Sequence, residues 1–369
     1  MKRIATASAA IAADAAHDLS DPLFSDAVIQ WQKAHGRHVL PWQNTRDAYR
    51  IWLSEIMLQQ TQVTAVIPYY QRFLARFPDV ASLAAAASEE VMAHWSGLGY
   101  YTRARNLHKC AQRVVIEFDG KFPADPDVLA SLPGIGRSTA AAISAFAYGT
   151  RAAILDGNVK RVFCRVFGVD GYPGEKKVED KLWLRAVAML PGQGIEAYTQ
   201  GLMDLGATVC TRSSPSCQRC PLAERCVARA QARTSELPAR KSKKAIPEKQ
   251  TAMLVITDGD EVLLEQRPDS GIWGGLLSLP EVAPDADIAL FAARFGVTGA
   301  SEKLQPFSHT FTHFKLHVEP YRVQLSERRH SAREGGYVWY RRSALADAPL
   351  PAPVKKLLLA VFREPDLLG

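Results

Sequence analysis

The chain has 369 residues, 47% of them hydrophobic, so it is long enough for two domains, each with its own apolar core. Its net charge of +7 favours a polyanionic partner. The sequence lacks an apolar run of the roughly 18–20 residues that span a membrane, and Asp14 interrupts the weakly apolar N-terminus, which argues against a signal peptide. We therefore expect a cytoplasmic protein without a membrane partner, with a flexible extension over residues 1–23.

Residues 24–226 carry a pattern that predicts helices almost throughout. Apolar side chains recur at helical spacing in two clear stretches. These are Tyr49, Trp52, Leu53, Ile56 and Met57 in the first, and Val159, Val162, Phe163, Val166 and Phe167 in the second. Proline and glycine residues separate the predicted helices. The sequence therefore predicts a mainly helical region over residues 24–226.

Glu55 lies in the stretch WLSEIMLQQTQV of the first predicted helix. On a helical wheel Glu55 and Gln59 share a stripe beside the apolar face. A glutamate at that border can have a raised pKa where apolar side chains surround it, and Trp42, Leu58 and Ile67 could supply such walls. A solvated surface glutamate is the alternative.

The stretch LPGIG, residues 132–136, lies between two predicted helices. Gly134 and Gly136 allow a tight turn with exposed backbone N–H groups, directly before the next helix begins. Backbone donors at a helix N-terminus suit a phosphate and require no sequence-specific contact. An ordinary connection between helices also contains such glycines, so this motif is weak when it is considered alone.

Asp156 comes directly before the second predicted helix, in the stretch LDGN. Aspartate caps helix N-termini well, so a structural cap is the simplest interpretation of this residue. A carboxylate that caps a helix end can hold a second role there at the same time.

Four cysteines form a C-x6-C-x2-C-x5-C pattern at Cys210, Cys217, Cys220 and Cys226. Four thiolates in so short a segment can close on one metal centre. Structural zinc sites usually pair two short knuckles, whereas cysteine-rich runs of this kind also hold iron–sulfur clusters. A disulfide pair is the third alternative, and the expected reducing compartment disfavours it.

Composition changes after the cysteines. Residues 227–250 contain a basic run and two prolines, which indicates a linker between domains. Residues 251–369 then begin with a strand, an Asp-Gly turn and a second strand, and further strands alternate with helices near 286–295 and 353–362. The sequence therefore predicts an α+β domain over residues 251–369.

The stretches LASLPGIGRSTAAAISAF and AILDGNVKRVF, together with the cysteine spacing, resemble the helix-hairpin-helix DNA glycosylase superfamily with a cluster loop. Among its families, the chain resembles the MutY-type adenine DNA glycosylases. The resemblance implies two helical subdomains with a loop at residues 210–226 that holds one [4Fe-4S] cluster. It also implies a Nudix-like C-terminal domain. The segment after GIWGGLLSLPE lacks the REx2E-like carboxylate pair with which the Glu-rich helix of a Nudix hydrolase holds a metal, so we expect binding without hydrolysis there.

The resemblance implies a monomeric enzyme acting on double-stranded DNA that contains adenine opposite 8-oxoguanine or guanine. Glu55 would protonate adenine at N7, and Asp156 would stabilise the oxocarbenium-like charge on the sugar. Ser138 stands where endonuclease III-like enzymes carry the lysine nucleophile, and serine cannot form an imine. We therefore expect a monofunctional glycosylase. The alternatives are a lyase acting on oxidised pyrimidines and a non-catalytic DNA-binding iron–sulfur protein.

The resemblance also implies residues that bind DNA or read its bases. Gln60, Thr61 and Tyr100 are expected to fill the space that a flipped base leaves. Thr312 and His313 are expected to read 8-oxoguanine, although a literal Phe-Ser-His also occurs at residues 307–309. The complete set of expected contact residues is Arg37, Trp42, Gln59, Gln60, Thr61, Tyr100, Gly134, Gly136, Ser138, Asn158, Thr312 and His313.

Overall fold

The computed structural model describes residues 21–241, 246–268, 270–329 and 336–362. The described chain forms two compact units. Unit 1 contains residues 21–84 and 109–241, and unit 2 contains residues 85–108 and 246–362. The prediction of a mainly helical region followed by an α+β domain is confirmed.

The helices follow one another closely through residues 21–241. They are α1 (Pro22–His35), α2 (Ala48–Leu58), α3 (Val63–Arg76), α4 (Val80–Ala85), α5 (Ser88–Trp95), α6 (Thr102–Phe118), α7 (Pro126–Ala130), α8 (Arg137–Tyr148), α9 (Gly157–Val166), α10 (Lys176–Ala188), α11 (Ile195–Asp204) and α12 (Val227–Ala230). A π-helical turn, Leu205–Val209, joins α11 to the cysteine loop. None of the helices in these described ranges, or in those of unit 2, combines the length and apolarity needed to cross a membrane.

Local sequence explains why the main helices of unit 1 begin where they do. Asp21, Asp47 and Asp156 cap α1, α2 and α9, and each side chain accepts a hydrogen bond from a backbone N–H of the first turn. The apolar faces predicted for α2 and α9 are buried, and α2 packs against α8. The helix ends that carry the polar candidate residues are therefore fixed by a packed core.

Unit 2 is built on one mixed sheet. Its strands are β1 (Glu248–Asp258), β2 (Glu261–Gln266), β3 (Leu277–Ser278), β4 (Glu281–Val282), β5 (Gly296–Lys303), β6 (Phe307–Thr310), β7 (Lys315–Arg328) and β8 (Tyr337–Arg341). The main strand order is β3-β2-β1-β7-β5, with β4 on β1, β6 on β7 and β8 on β2. Strands β1 and β7 are parallel, and the other pairs are antiparallel.

Two helices accompany this sheet, α13 (Ile288–Ala292) and α14 (Ala352–Val361), near the positions that the sequence predicts. The helix α13 and the strands β1, β2 and β7 surround an apolar core that includes Leu254, Leu263 and Phe295. Alternating burial along β7 agrees with its place on this core.

Three segments differ in detail from the predicted boundaries. Helix α1 begins at Pro22, inside the extension predicted over residues 1–23, of which residues 1–20 lie outside the described residues. The predicted linker over 227–250 contains α12 at its start and the beginning of β1 at its end, and residues 242–245 of it are not described. Residues 85–108, predicted as part of the helical domain, group with unit 2.

Candidate functional site

Glu55 lines an open cavity of unit 1. It projects from the last turns of α2, whose neighbouring residues Trp52 and Ile56 are buried. Around the cavity lie polar and aromatic side chains from several helices and from the loop between α1 and α2. The lining includes Gln32, Arg37, Trp42, Ile51, Leu58, Val63, Phe146, Glu196 and Gln200.

Two of the three residues predicted as walls, Trp42 and Leu58, lie in this lining. Ile67 is not among the lining residues, because α3 presents Val63 to the cavity instead. Trp42 is buried and packs edge to face on Tyr70, with ring centroids 5.4 Å apart. This contact fixes the indole as one wall of the cavity.

Burial raises the pKa of Glu55 from its ordinary 4.5 to about 8, and the negative charge of Asp156 adds to this rise. A glutamate with this pKa is mostly protonated at neutral pH. It can therefore donate a proton to a group that enters the cavity.

Asp156 occupies the N-terminus of α9, where its carboxylate accepts a hydrogen bond of 2.8 Å from the Val159 N–H. Burial raises its pKa, whereas the N–H groups of Val159 and Asn158 and the charges of Arg161 and Lys160 act in the opposite direction. Asp156 is thus a helix cap that also has the electrostatic setting of a functional carboxylate, next to Glu55.

Ser138 supports the segment that leads to Asp156. It lies in the first turn of α8, and its Oγ accepts a hydrogen bond of 2.9 Å from the Leu155 N–H. The Asp156 carboxylate therefore follows a residue whose backbone is tied to α8. The turn before α8 has the predicted form, since Gly134 has φ 78° and Gly136 caps the helix.

Arg37 and Asn158 take part in polar networks within unit 1. The buried carboxylate of Asp204 accepts hydrogen bonds from the Arg37 backbone N–H at 2.8 Å and from Arg37 Nε at 2.7 Å. Asn158 Oδ1 accepts a hydrogen bond of 2.8 Å from Arg161 Nη2. A Cβ at Gly206 would lie 2.4 Å from that of Asn158, so glycine allows the π-helical turn to approach the start of α9.

The residues after α2 leave the helical path. Gln60 has a positive φ of 58° and is exposed, and Thr61 Oγ1 donates a hydrogen bond to the Gln59 carbonyl at 3.3 Å. Gln59 Nε2 lies 3.5 Å from the Gly134 carbonyl, at the limit of a hydrogen bond. These residues form an exposed polar turn at the end of the helix that carries Glu55.

The four cysteines of the loop line one apolar cavity. None of them forms a disulfide. Burial raises the pKa of Cys220 to about 11, and the thiolates of Cys210, Cys226 and Cys217 act in the same direction. Within the described ranges, no group of three or more His, Cys, Asp or Glu side chains is arranged to hold a metal ion. The fit to a four-thiolate cluster therefore rests on the shared cavity and on the donor chemistry.

Unit 2 brings Tyr100 and the tip of the β6–β7 hairpin to one pocket. Tyr100, Thr312 and His313 all line it, and Trp273 and Phe311 supply aromatic walls. Tyr100 has a positive φ of 49° and its side chain is 46% exposed. An exposed ring on a constrained backbone is poorly explained by packing in the apolar core.

The structure of the hairpin distinguishes between the two possible sequence positions of the Phe-Ser/Thr-His motif. Thr312 and His313 are exposed at the tip, which the Phe311 N–H closes by donating to the Phe314 carbonyl at 2.8 Å. Ser308 lies within β6 instead, and its Oγ is 2.9 Å from His317 Nδ1. The tip residues thus belong to the pocket, whereas Ser308 belongs to the sheet.

Sequence reasoning missed the role of Trp273 in this pocket. It has a positive φ of 55° and is buried, with its ring centroid 5.4 Å from that of Phe311 and 5.9 Å from that of His309. The glycines of GIWGG were the available signal, since three glycines around one tryptophan indicate an unusual backbone.

Comparison with known proteins shows which families and relatives this chain is similar to. Residues 53–186 match the HhH-GPD superfamily of base excision DNA repair proteins, and residues 251–360 match the NUDIX domain. The chain is 38% identical over 342 residues to the adenine DNA glycosylase of Buchnera aphidicola subsp. Schizaphis graminum, covering 91% of this chain and 98% of that protein. It is 31% identical over 396 residues to the adenine DNA glycosylase of Mus musculus, covering 90% of this chain and 77% of that protein.

A solved structure is similar to the helical part of the chain. It is a thermostable thymine-DNA glycosylase, with a TM-score of 0.52 and 28% identity, and the match covers 56% of this chain and 95% of that one.

Proposed function

Because this chain belongs to the adenine DNA glycosylase family, we propose that it is a monofunctional glycosylase that removes adenine opposite 8-oxoguanine or guanine. The observation that carries this proposal is the pair of carboxyl groups in unit 1. Burial and the charge of Asp156 raise the pKa of Glu55 to about 8, so Glu55 can give a proton. We assign the role of the anion to Asp156, whose carboxylate is stabilised by the N–H groups of Val159 and Asn158 and by the charges of Arg161 and Lys160, against the effect of burial. We infer a cytoplasmic, nucleoid-associated protein, because the proposed substrate is DNA.

Glu55 supplies the proton in this mechanism. Adenine leaves the sugar slowly as an anion and faster once N7 is protonated. A flipped adenine that enters the cavity with N7 towards Glu55 meets a protonated carboxyl group at neutral pH. The apolar walls Trp42 and Leu58 favour the neutral acid and exclude water from the base.

Asp156 acts on the sugar. As the glycosidic bond breaks, positive charge develops at C1′ and the ring oxygen, and a carboxylate held at that place lowers the barrier. The hydrogen bond from Val159 and the support of Leu155 by Ser138 hold this carboxylate without further rearrangement. Water then adds to C1′ and loses a proton, which restores the protonated form of Glu55, so that the products are free adenine and an abasic site.

Ser138 supports a monofunctional enzyme. Its hydroxyl cannot form an imine with the sugar, and it is already engaged with the Leu155 N–H. Lys160, the lysine closest in sequence to Asp156, forms an ion pair of 2.7 Å with Glu179, and an ammonium group in an ion pair is a poor nucleophile. Strand breaks should therefore appear only after alkali.

We assign one [4Fe-4S] cluster to the loop, with Cys210, Cys217, Cys220 and Cys226 as its ligands. Four unpaired thiols around one apolar cavity support this assignment. The cluster would hold the loop against α9 and stabilise its fold. Iron analysis of anaerobically purified protein should give about four irons per chain, and one zinc without iron would contradict the assignment.

We further propose that Thr312 and His313 read 8-oxoguanine, with Tyr100 filling the stack where adenine leaves. 8-Oxoguanine differs from guanine by an N7–H donor and a C8 carbonyl acceptor. The Thr312 hydroxyl and the His313 ring, whose Nδ1 lies 3.5 Å from Thr312 Oγ1, offer matching groups at an exposed hairpin tip.

The proposal is tested with duplexes that contain a single A:8-oxoguanine or A:G pair. Base loss with strand breaks only after alkali is the expected result. Direct cleavage, or a protein–DNA adduct trapped efficiently by borohydride, would indicate a lyase instead. Binding without base loss would indicate a non-catalytic DNA-binding protein.

A further inference from the structure

Residues 85–108 place Tyr100 in the same compact unit as the hairpin tip. The Ser96 hydroxyl donates a hydrogen bond of 2.9 Å to the Leu350 carbonyl, which ties this segment to the C-terminal part of the chain. The proposed wedge and the proposed reader are therefore parts of one folded body. A physical connection between them can be followed contact by contact.

The first step of that connection fixes Tyr100. Arg103 is buried, its Nη2 donates to the Gly99 carbonyl at 3.1 Å, and its guanidinium lies 5.4 Å from the centre of the Tyr100 ring. The Arg103 N–H also donates to the Tyr100 carbonyl at 2.8 Å. The positive φ of Tyr100 is thus held by the first turn of α6.

The second step consists of contacts that connect the same turn of α6 to the pocket. Arg105 Nη2 donates to Thr102 Oγ1 at 3.0 Å, and Arg105 Nη1 donates to the Gly274 carbonyl. Gly274 follows Trp273, whose ring packs on Phe311, the residue immediately before Thr312. One guanidinium therefore joins the helix that holds Tyr100 to the loop that supports the hairpin tip.

We propose that Arg105 is a positioning residue that couples the Tyr100 wedge to the Thr312–His313 tip. Contact of the tip with 8-oxoguanine would then favour the inserted position of Tyr100, and a tip without that contact would not. This inference rests on the functions proposed above for Tyr100, Thr312 and His313. It goes beyond them, because it makes reading and insertion one event and gives Arg105 a role without a DNA contact.

A double-mutant cycle tests the coupling. Arg105→Lys keeps the charge but cannot reproduce the fork that reaches both Thr102 and Gly274. We expect it to lower the ratio of single-turnover rates on A:8-oxoguanine and A:G. Thr312→Ala/His313→Ala should lower that ratio by roughly tenfold in the wild-type background but by less than about twofold when Arg105 is already lysine.

A fluorescent base analogue beside 8-oxoguanine gives a second readout, because it brightens when Tyr100 opens the stack. Arg105→Lys should reduce this signal on the 8-oxoguanine duplex, and Tyr100→Ala should remove it. Lys109→Ala is the matched control, since it removes an exposed cation from the same helix and should change neither readout. If Arg105→Lys does not fold, Trp273→Phe interrupts the connection at its next contact.

Additive losses of discrimination in the double-mutant cycle would overturn the coupling. They would leave intact the assignment of Thr312 and His313 as the residues that read 8-oxoguanine. An equal loss on both duplexes with a flatter salt dependence would also overturn it, because it would show a phosphate contact by Arg105. If the tip variant keeps wild-type discrimination, the reader assignment fails and the coupling fails with it. These outcomes separate the inference from adenine removal, which the A:G duplex reports independently.

Discussion

The two candidate sites differ in how firmly the fold holds them. In unit 1 the carboxyl groups lie on helices whose apolar faces are buried, and Asp156 is itself part of the helix cap. In unit 2 the tip residues Thr312 and His313 are exposed on a hairpin, and aromatic packing supports them from one side. The first arrangement suits electrostatic catalysis, and the second suits recognition.

This difference has a physical basis. A group that stabilises developing charge must already be oriented and desolvated, because reorganisation during the reaction would cost the energy gained. A group that distinguishes two bases needs only to form or lose a contact, and an exposed tip can do so without disturbing a core. We therefore expect variants in unit 1 to affect both duplexes and variants at the tip to affect mainly one.

The largest effect is expected for Asp156→Asn. Asparagine also caps helices, so its Oδ1 can still accept from Val159 and α9 should remain folded. Loss of the negative charge should reduce adenine release by about 10³-fold or more on both duplexes. Single-turnover rates and duplex affinity should be measured together, and normal turnover with intact binding would refute the catalytic role.

The next largest effect is the pH dependence that Glu55 should impose. Its protonated fraction decreases as pH rises through about 8, so the rate should fall about tenfold per pH unit above that value. Both duplexes should show the same profile, because Glu55 belongs to unit 1. Glu55→Gln should abolish turnover at every pH, and a rate in wild type that stays constant up to pH 10 would contradict the assignment.

The raised pKa of Glu55 also makes the stability of the fold depend on pH. Because folding raises the pKa of Glu55 above its ordinary 4.5, the stabilisation from its proton is complete below that value and is lost as pH rises to about 8. Glu55→Gln has no such proton to lose. Its thermal stability relative to wild type should therefore be higher at pH 9 than at pH 4.5, and an unchanged difference would argue that Glu55 is solvated.

Substitutions at the hairpin tip should have a smaller effect, which should be selective for the 8-oxoguanine duplex. Loss of two polar contacts in Thr312→Ala/His313→Ala should reduce discrimination between A:8-oxoguanine and A:G by roughly tenfold or more, since the two contacts together contribute about 1–3 kcal/mol. Adenine release from A:G should remain nearly unchanged. Ser308→Ala, within β6, is the matched control and should leave the ratio intact, whereas an equal fall on both duplexes would indicate a role in folding alone.

The sequence predicted the parts of these sites that depend on local patterns. Glu55 lies on a helix with clear periodicity, Asp156 starts one, and the cysteine spacing is contained in a short segment. Contacts between distant residues could not be predicted in this way. Arg37 meets Asp204 across 167 positions and Arg105 meets Gly274 across 169, and no helix or strand period indicates which partner such a cation finds.

The smallest effect concerns Ser138, whose hydroxyl links α8 to the segment before Asp156. Ser138→Ala leaves the Leu155 N–H without its partner, which should cost about 1–3 kcal/mol of stability. Catalysis should decrease only as far as Asp156 becomes less well positioned, and equally on both duplexes.

Ser138→Lys removes the same support but adds an amine. A borohydride-trapped adduct should therefore appear above the wild-type background, while thermal stability falls as in Ser138→Ala. Unchanged stability in Ser138→Ala would show that the hydrogen bond is dispensable, and an equally strong adduct in wild type would show that another amine, with Lys160 the first to examine, already reaches the sugar.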